Sequence, residues 1–195
     1  MKLIYKMVET VDSPLFAYLR DHQNQFEAYL PSNRIRGRID ELIYGNIYKL
    51  GENPDLADVE EIFKIAYPQK FDILVDNFKM RHFVDTEQPA AFADAATEYV
   101  KKHKIKDWSE LNEIAWNFYE YVEDRALLKK GVKIAKKSIK SEKNYYNMDT
   151  MASLYYRLNN KKKAKKIANK AIAIGKAAGD DVSSTENLLK QIELL

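Results

Sequence analysis

The heptapeptide KIAKKSI at residues 133–139 returns 33 residues later, as KIANKAI at residues 166–172. The stretches that precede the two copies also match, since Ile114-Ala115 aligns with Met151-Ala152 at an offset of 37 residues. The two units therefore differ by a loop that is about four residues longer in the first. Self-similarity at a spacing of roughly 20–50 residues is typical of arrays of small helical units. We predict that each copy is a helical hairpin.

Small and aromatic residues recur in the second unit at positions that suit close helix packing. Counted from Tyr145, positions 8, 11, 20 and 27 are Ala152, Tyr155, Ala164 and Ala171. A tetratricopeptide repeat has its small and aromatic residues at these positions, so the unit resembles such a repeat in degenerate form. It departs at position 24, which is Ala168 instead of a large residue, and at its end, where Lys176 replaces a proline.

The remaining sequence also has helical periodicity, with helix starts marked by Ser13-Pro14 and by Asp107. One amphipathic helix is predicted from Pro14 to Leu30, where Pro31 ends it, and within the second hairpin a helix is predicted from about Lys161 to Ala178. The opening LIYKMVETV is the one candidate β-strand. We therefore predict an all-α fold, a right-handed array of about ten helices with tetratricopeptide-like hairpins in its C-terminal half. The predicted division is a linker or trailing segment at 1–11, an N-terminal helical region at 12–105, and the hairpins with a C-terminal capping helix at 106–195. The last two are expected to form one continuous helical domain.

Composition excludes several classes of function. The chain has no Cys, so it can form neither a disulfide nor a zinc-thiolate site, and it offers no thiol nucleophile. No apolar run approaches the length of a membrane span. The three histidines lack the spacing of a metal site, and no nucleophile elbow or phosphate-binding glycine loop is present. We predict no enzyme activity in this chain and no cofactor.

Charge is distributed unevenly along the chain. Residues 1–100 hold 11 Lys+Arg and 17 Asp+Glu, whereas residues 101–195 hold 21 and 12. The densest basic stretches are KKKAKK at 161–166 and the run from Lys129 to Lys140. Aromatic residues that could stack on bases are not interleaved with them, which favours solvated helix surfaces over nucleic-acid binding.

Three segments share a further resemblance: SPLFAYLRDHQNQF from Ser13, LNEIAWNFYEYVED from Leu111, and NMDTMASLYYRL from Asn147. With the basic hairpin and STENLLKQI that follow, they resemble the helical region behind the thioredoxin-like domain of thioredoxin-family proteins from Bacteroidetes-type bacteria. The resemblance implies an accessory domain of a thiol-disulfide module that works in the periplasm or as an exported protein. The chain itself has no recognisable export signal and no redox residue. This favours a piece of a longer protein over a relative that lacks the catalytic module.

Candidate binding residues follow from the repeat. In tetratricopeptide arrays the first helix of each hairpin lines the concave face, and its outward positions bind partners. Here those positions are Asn112, Trp116, Tyr119, Asp149, Tyr156 and Arg157. Aromatic and arginine side chains are frequent energetic anchors of interfaces. The alternative is that Trp116 and Tyr119 pack in the core.

These observations favour a non-catalytic protein-interaction domain that binds a protein or peptide, or packs on its own upstream thioredoxin-like domain. One alternative is that the chain contributes a substrate-recognition surface to a thiol-disulfide oxidoreductase. A third hypothesis, binding of nucleic acid or an acidic partner through the basic half, rests on charge alone.

Overall fold

The protein is described by a computed structural model that covers residues 2–52 and 54–195. These residues form twelve α-helices and no β-strand, which confirms the predicted all-α fold of about ten helices. The helices are α1 Lys2–Met7, α2 Pro14–Asp21, α3 Gln23–Glu27, α4 Ser32–Lys49, α5 Leu56–Ala66, α6 Phe71–Asp85, α7 Pro89–Lys102, α8 Trp108–Tyr121, α9 Arg125–Ser141, α10 Tyr145–Arg157, α11 Lys161–Ala178 and α12 Ser183–Leu194. A short 3-10 turn spans Pro68–Lys70.

The chain divides into two compact units, with the boundary between Phe78 and Lys79. We predicted a boundary after residue 105, which would leave α7 with the N-terminal region. Instead α7 packs on α8 and α9, and the Phe92 ring on α7 lies 4.9 Å from the Phe118 ring on α8. Because these rings are fully buried, α7 shares the core of the C-terminal unit.

The N-terminal unit has a core of aromatic and branched side chains from α2 to α6. Its fully buried members include Phe16, Leu19, Phe26, Ile35, Ile39 and Ile43. The segment 1–11, expected to be a linker or trailing segment, contains α1 and contributes the buried Val8 and Val11 to this core.

One predicted helix of this unit was wrong in extent, and the candidate strand is not a strand. The candidate strand LIYKMVETV begins with helix α1, since a strand needs a neighbour for its backbone hydrogen bonds and the described residues contain none. The single helix predicted from Pro14 to Leu30 is broken at His22, whose φ of −115° and ψ of 25° leave the helical region. The His22 ring stacks on Tyr18 at 4.1 Å and contacts its carbonyl oxygen, so side-chain packing stabilises the break.

The C-terminal unit is built around two helical hairpins, α8 with α9 and α10 with α11. Side chains cap every one of these helices at its start: Asp107, Asp124, Asn144 and Asn160 each accept a hydrogen bond from a backbone N–H of the first turn. Gly179, with a φ of 83°, ends α11 in the left-handed conformation that favours glycine.

Small residues allow the two helices of a hairpin to approach closely. The four repeat positions Ala152, Tyr155, Ala164 and Ala171 are all buried. In the first hairpin, Gly131 occupies the position equivalent to Ala164, and Phe118 the position equivalent to Tyr155. A Cβ atom added to Gly131 would lie 2.5 Å from the Phe118 Cβ, so the approach of α9 to α8 depends on the missing side chain.

A buried polar network joins the two hairpins. The Asn147 amide donates to Ser138 Oγ at 3.1 Å and to the Glu142 carbonyl at 2.6 Å, and Ser138 Oγ donates to the Trp108 carbonyl at 2.8 Å. Both Asn147 and Ser138 are fully buried. Because buried donors need partners, this network fixes the start of α10 relative to α8 and α9.

The last helix extends the same pattern. α12 packs on α11 and also contacts α10, which is the place that the first helix of a third hairpin would take. Its side chains Leu188 and Ile192 are buried as the amphipathic pattern predicts. The start of α12 therefore lies beside α10, and α10 lies beside α8.

Candidate functional site

A groove runs over the first helices of the hairpins and the start of α12. It contains a cavity of about 330 Å³ whose lining comes from α8, α10 and the α12 start. The lining residues are Asn112, Trp116, Tyr145, Tyr146, Asp149, Thr150, Asp181 and Ser184. The cavity therefore brings together three of the six candidate residues, namely Asn112, Trp116 and Asp149.

A chain of hydroxyl groups holds Asp149 in this groove. Thr185 Oγ1 donates to Asp149 Oδ1 at 2.6 Å, and the Tyr145 hydroxyl lies 2.8 Å from Thr185 Oγ1 and 3.1 Å from Ser184 Oγ. Because Thr185 has one hydroxyl proton and gives it to the carboxylate, Tyr145 donates to Thr185 and Ser184 donates to Tyr145. Thr185 is fully buried, so this hydroxyl chain is part of the packed structure.

Two oxygen acceptors of the groove residues, on Asp149 and Asn112, have few hydrogen-bond donors. Burial raises the pKa of the Asp149 carboxyl, while the hydrogen bond from Thr185 opposes that shift. Thr185 is its one hydrogen-bonding side chain within residues 2–52 and 54–195, and no described Lys or Arg forms an ion pair with it. The Asn112 Oδ1 atom is buried and has no hydrogen-bond partner among the described residues.

A second carboxylate, that of Asp181, lines the same cavity. Asp181 accepts a hydrogen bond from the Ser183 backbone N–H at 2.9 Å, and this contact lowers the pKa of the exposed Asp181 carboxyl. Tyr146 donates to Asp180 at 3.4 Å. The groove thus carries two carboxylates, Asp149 and Asp181, in its cavity lining.

An aromatic cluster continues the groove toward the C-terminal ends of α8 and α10. The Trp116 and Tyr119 rings lie 4.8 Å apart, and the Arg157 guanidinium is 5.7 Å from the Tyr119 ring centre. Arg157 also donates to the Val122 carbonyl at 3.3 Å. Burial raises the pKa of the Tyr119 phenol, the positive charge of Arg157 opposes that shift, and the half-buried Tyr156 nearby adds to it. Arg157 is thus engaged here and does not neutralise Asp149.

The structure gives each predicted residue a definite place. Trp116 and Tyr119 are both half-buried and are not among the fully buried core side chains, and Trp116 lines the cavity. The repeat pattern did not identify Tyr145, Thr185 or Ser184 as groove residues. Ser184 and Thr185 lie at the start of a helix, where serine and threonine are usually interpreted as capping residues. They could have been identified if α12 had been recognised as equivalent to α8 and α10, the first helices of the hairpins.

The second helices of the hairpins present a different surface. α9 and α11 each carry seven Lys or Arg and no acidic residue. The repeat places Lys133 and Lys137 of α9 in positions equivalent to Lys166 and Lys170 of α11. All four are exposed, and none forms an ion pair with a residue that the structure describes.

The N-terminal unit contains a larger cavity of about 690 Å³, lined in part by Arg20, Asp21, Asp40 and Tyr67. Its polar groups are largely satisfied within the unit. Arg20 pairs with Asp21 at 2.7 Å and donates to the Ile65 carbonyl, and Tyr67 donates to Asp40 at 3.2 Å. Burial and the Asp40 carboxylate raise the pKa of the Tyr67 phenol. These four residues therefore have hydrogen-bond or ion-pair partners within the unit itself.

Neither a metal centre nor a membrane-spanning helix was found in the part of the chain that the structure describes. No group of three or more His, Asp or Glu side chains there could hold a metal ion. None of the helices in the described ranges combines the length and apolar character needed to cross a bilayer.

Comparison with known proteins identifies no relative. No protein-family model matches the chain, and no curated protein or solved structure is significantly similar to it.

Proposed function

We propose that the C-terminal unit is a non-catalytic protein-interaction domain that binds an extended peptide along the groove of α8, α10 and α12. In the parent protein it would serve as the accessory domain of a thioredoxin-like module, as the resemblance of the three segments implies. The resemblance to tetratricopeptide repeats supports the choice of groove, because their first helices line the binding face.

The observation that carries the proposal is the cavity that joins Asn112, Trp116 and Asp149. Residues of a merely solvated helix face would be separated and exposed. Here a half-buried aromatic residue, a carboxylate held by a buried threonine and the side chain of an asparagine line one cavity. Convergence of a few polar groups with aromatic walls is typical of binding sites.

Selection from a random peptide library on the full chain tests the proposal. Recovered peptides should bind the wild type and bind Trp116→Ala at least about tenfold more weakly, because truncated aromatic anchors commonly cost that much or more. Circular dichroism and thermal unfolding should show that the variant keeps its fold. Trp108→Ala, at the start of the same helix and outside the cavity lining, is the matched control.

Two results would count against peptide binding in this groove. The first is a library from which nothing is enriched. The second is a set of peptides that bind the wild type and Trp116→Ala equally. An unfolded Trp116→Ala would instead assign the ring to the core, and Trp116→Phe would then be used for the binding comparison.

The proposed accessory role has its own test in the genomic reading frame upstream of Met1. We expect that frame to continue into a thioredoxin-like domain with a CxxC motif. The purified upstream domain should reduce insulin, whereas the present chain, which has no Cys, should not. An upstream frame without such a domain would overturn the accessory role and leave peptide binding to be judged by itself.

A further inference from the structure

We propose that the groove binds the guanidinium group of an arginine side chain in the peptide partner, with Asp149 as its anionic contact. This inference rests on the proposed peptide-binding function and names the residue that the site selects. The proposed arginine site is one cavity. Its lining includes Asn112 and Trp116 on α8, Asp149 on α10, Asp181 just before α12, and Ser184 in the first turn of α12.

The first argument is the unbalanced charge of the site. Asp149 is half-buried, and burial penalises a carboxylate unless an opposite charge or hydrogen-bond donors compensate it. Among the described residues its compensation is one hydroxyl, that of Thr185. Arg157, the basic residue of the same helix, lies over the Tyr119 ring and donates to the Val122 carbonyl. The cavity lining therefore contains a carboxylate and, among the described residues, no Lys or Arg.

The second argument is the surplus of acceptors. The hydroxyl groups of Ser184, Tyr145 and Thr185 donate in series toward Asp149. Each hydroxyl proton is therefore already in a hydrogen bond and is not available to a ligand. Asn112 Oδ1 is buried without a partner among the described residues, and a buried acceptor in that state costs free energy. A ligand that brings several N–H donors would supply the Asp149 carboxylate with the donors that it lacks.

The third argument selects arginine among cationic side chains. A guanidinium is planar, carries five donors and can contact a carboxylate through two of them while stacking on an aromatic face. Trp116 and Tyr146 both line the same cavity. Lysine offers a single charged point with no planar face, so it would use the carboxylate but gain less from an aromatic ring.

Peptides recovered from the library on the wild-type chain provide the test. Sequencing should show arginine enriched at one fixed position. Replacing that arginine by citrulline, which has nearly the same shape and no charge, should weaken binding about tenfold or more, and replacing it by lysine should weaken it less. The Asp149→Asn variant should bind the arginine peptide about tenfold more weakly than the wild type and should bind the citrulline peptide almost as well as the wild type does.

Asn169→Asp and Asp94→Asn are useful controls, because they alter charge on exposed helix surfaces outside the cavity lining and should leave both affinities unchanged. Peptides that bind through Trp116 but show no arginine preference, or an equal loss of both peptides in Asp149→Asn, would overturn the arginine inference and leave peptide binding intact. A library with no enriched peptide would overturn both. Circular dichroism of Asp149→Asn confirms that a loss of binding does not come from unfolding.

Discussion

The first and second helices of the hairpins share one core but carry opposite surfaces. α8, α10 and α12 together have six acidic and two basic side chains, whereas α9 and α11 have fourteen basic side chains and no acidic one. Aromatic residues follow the same division, since Trp116, Tyr119, Tyr146 and Tyr156 all belong to α8 and α10. The faces differ in chemistry although the repeat that builds them is the same.

This difference separates what the repeat requires from what it leaves free. Close approach of the helices requires small residues at Gly131, Ala152, Ala164 and Ala171, and all four are buried. The outward positions have no such requirement. A lysine on α9 or α11 needs only water, whereas the acceptors of the groove on α8 and α10 lie partly buried with few donors to satisfy them. The groove residues therefore have a polar chemistry that neither helix packing nor solubility requires.

The largest expected effect concerns the shared core. Gly131→Ala should lower the free energy of unfolding of the C-terminal unit by about 3 kcal/mol, because the new Cβ would lie 2.5 Å from the Phe118 Cβ in a close-packed contact. Urea unfolding followed by circular dichroism measures this change. Gly45→Ala in α4 is the control: beyond its chain neighbours and the adjacent backbone of α4, no described heavy atom lies within 4 Å of the added Cβ, so this substitution should stabilise by about 0.5–1 kcal/mol. Equal effects of the two substitutions would contradict the packing that we describe.

A smaller effect is expected from the anion of the groove. Burial raises the pKa of Asp149 in the folded state above its value in the unfolded chain, so the folded protein binds that proton more tightly. Above the folded-state pKa, the ionised Asp149 therefore lowers the free energy of unfolding. This loss disappears as the pH falls to the pKa that Asp149 has in the unfolded chain. Asp149→Asn should be slightly more stable than the wild type at neutral pH. This advantage should shrink on acidification.

Unfolding of both proteins across a pH series measures this advantage. Asp181 provides the comparison within the same cavity lining, because its pKa is lowered and its carboxylate is stabilising. An Asp149→Asn advantage that grew as the pH fell would have the wrong sign for a buried, uncompensated carboxylate.

The smallest effect concerns the basic face. The double variant Lys133→Glu, Lys166→Glu should change the free energy of unfolding by less than about 0.5 kcal/mol, since both side chains are exposed and unpaired with any described residue. Its affinity for a groove peptide should stay within about twofold of the wild type at physiological salt, where screening limits charge effects to about 8 Å. A large change in affinity, measured by calorimetry, would mean that the two faces are not independent.

The sequence predicted those parts of the fold that local chemistry determines. The bounds of α11, Lys161–Ala178, were predicted correctly. Both ends are determined by adjacent residues, since Asn160 caps the start of the helix and Gly179 follows its last residue. The break at His22 was missed, since no glycine or proline marks it and the conformation depends on packing against Tyr18.

The candidate site was predictable to a similar degree. Helical periodicity and the repeat indicated Asn112, Trp116 and Asp149, because one helix face can be read from spacing alone. The hydrogen bond from Thr185 to Asp149 joins residues 36 positions apart, and no local pattern encodes it. The unit boundary was misplaced for the same reason, since the contact of Phe92 with Phe118 is visible only when the helices are packed.

The central claim, that the first helices form the binding surface, can be tested directly because the chain has only two tryptophans. Trp108→Phe leaves Trp116 in the groove as the sole tryptophan, and Trp116→Phe leaves Trp108 at the start of α8; excitation that selects tryptophan over tyrosine reports on each ring separately. Titration of each variant with a library-derived arginine peptide should shift the fluorescence of Trp116 with a saturable dependence on peptide concentration and leave that of Trp108 unchanged. A saturable shift of Trp108 with none at Trp116 would contradict the account.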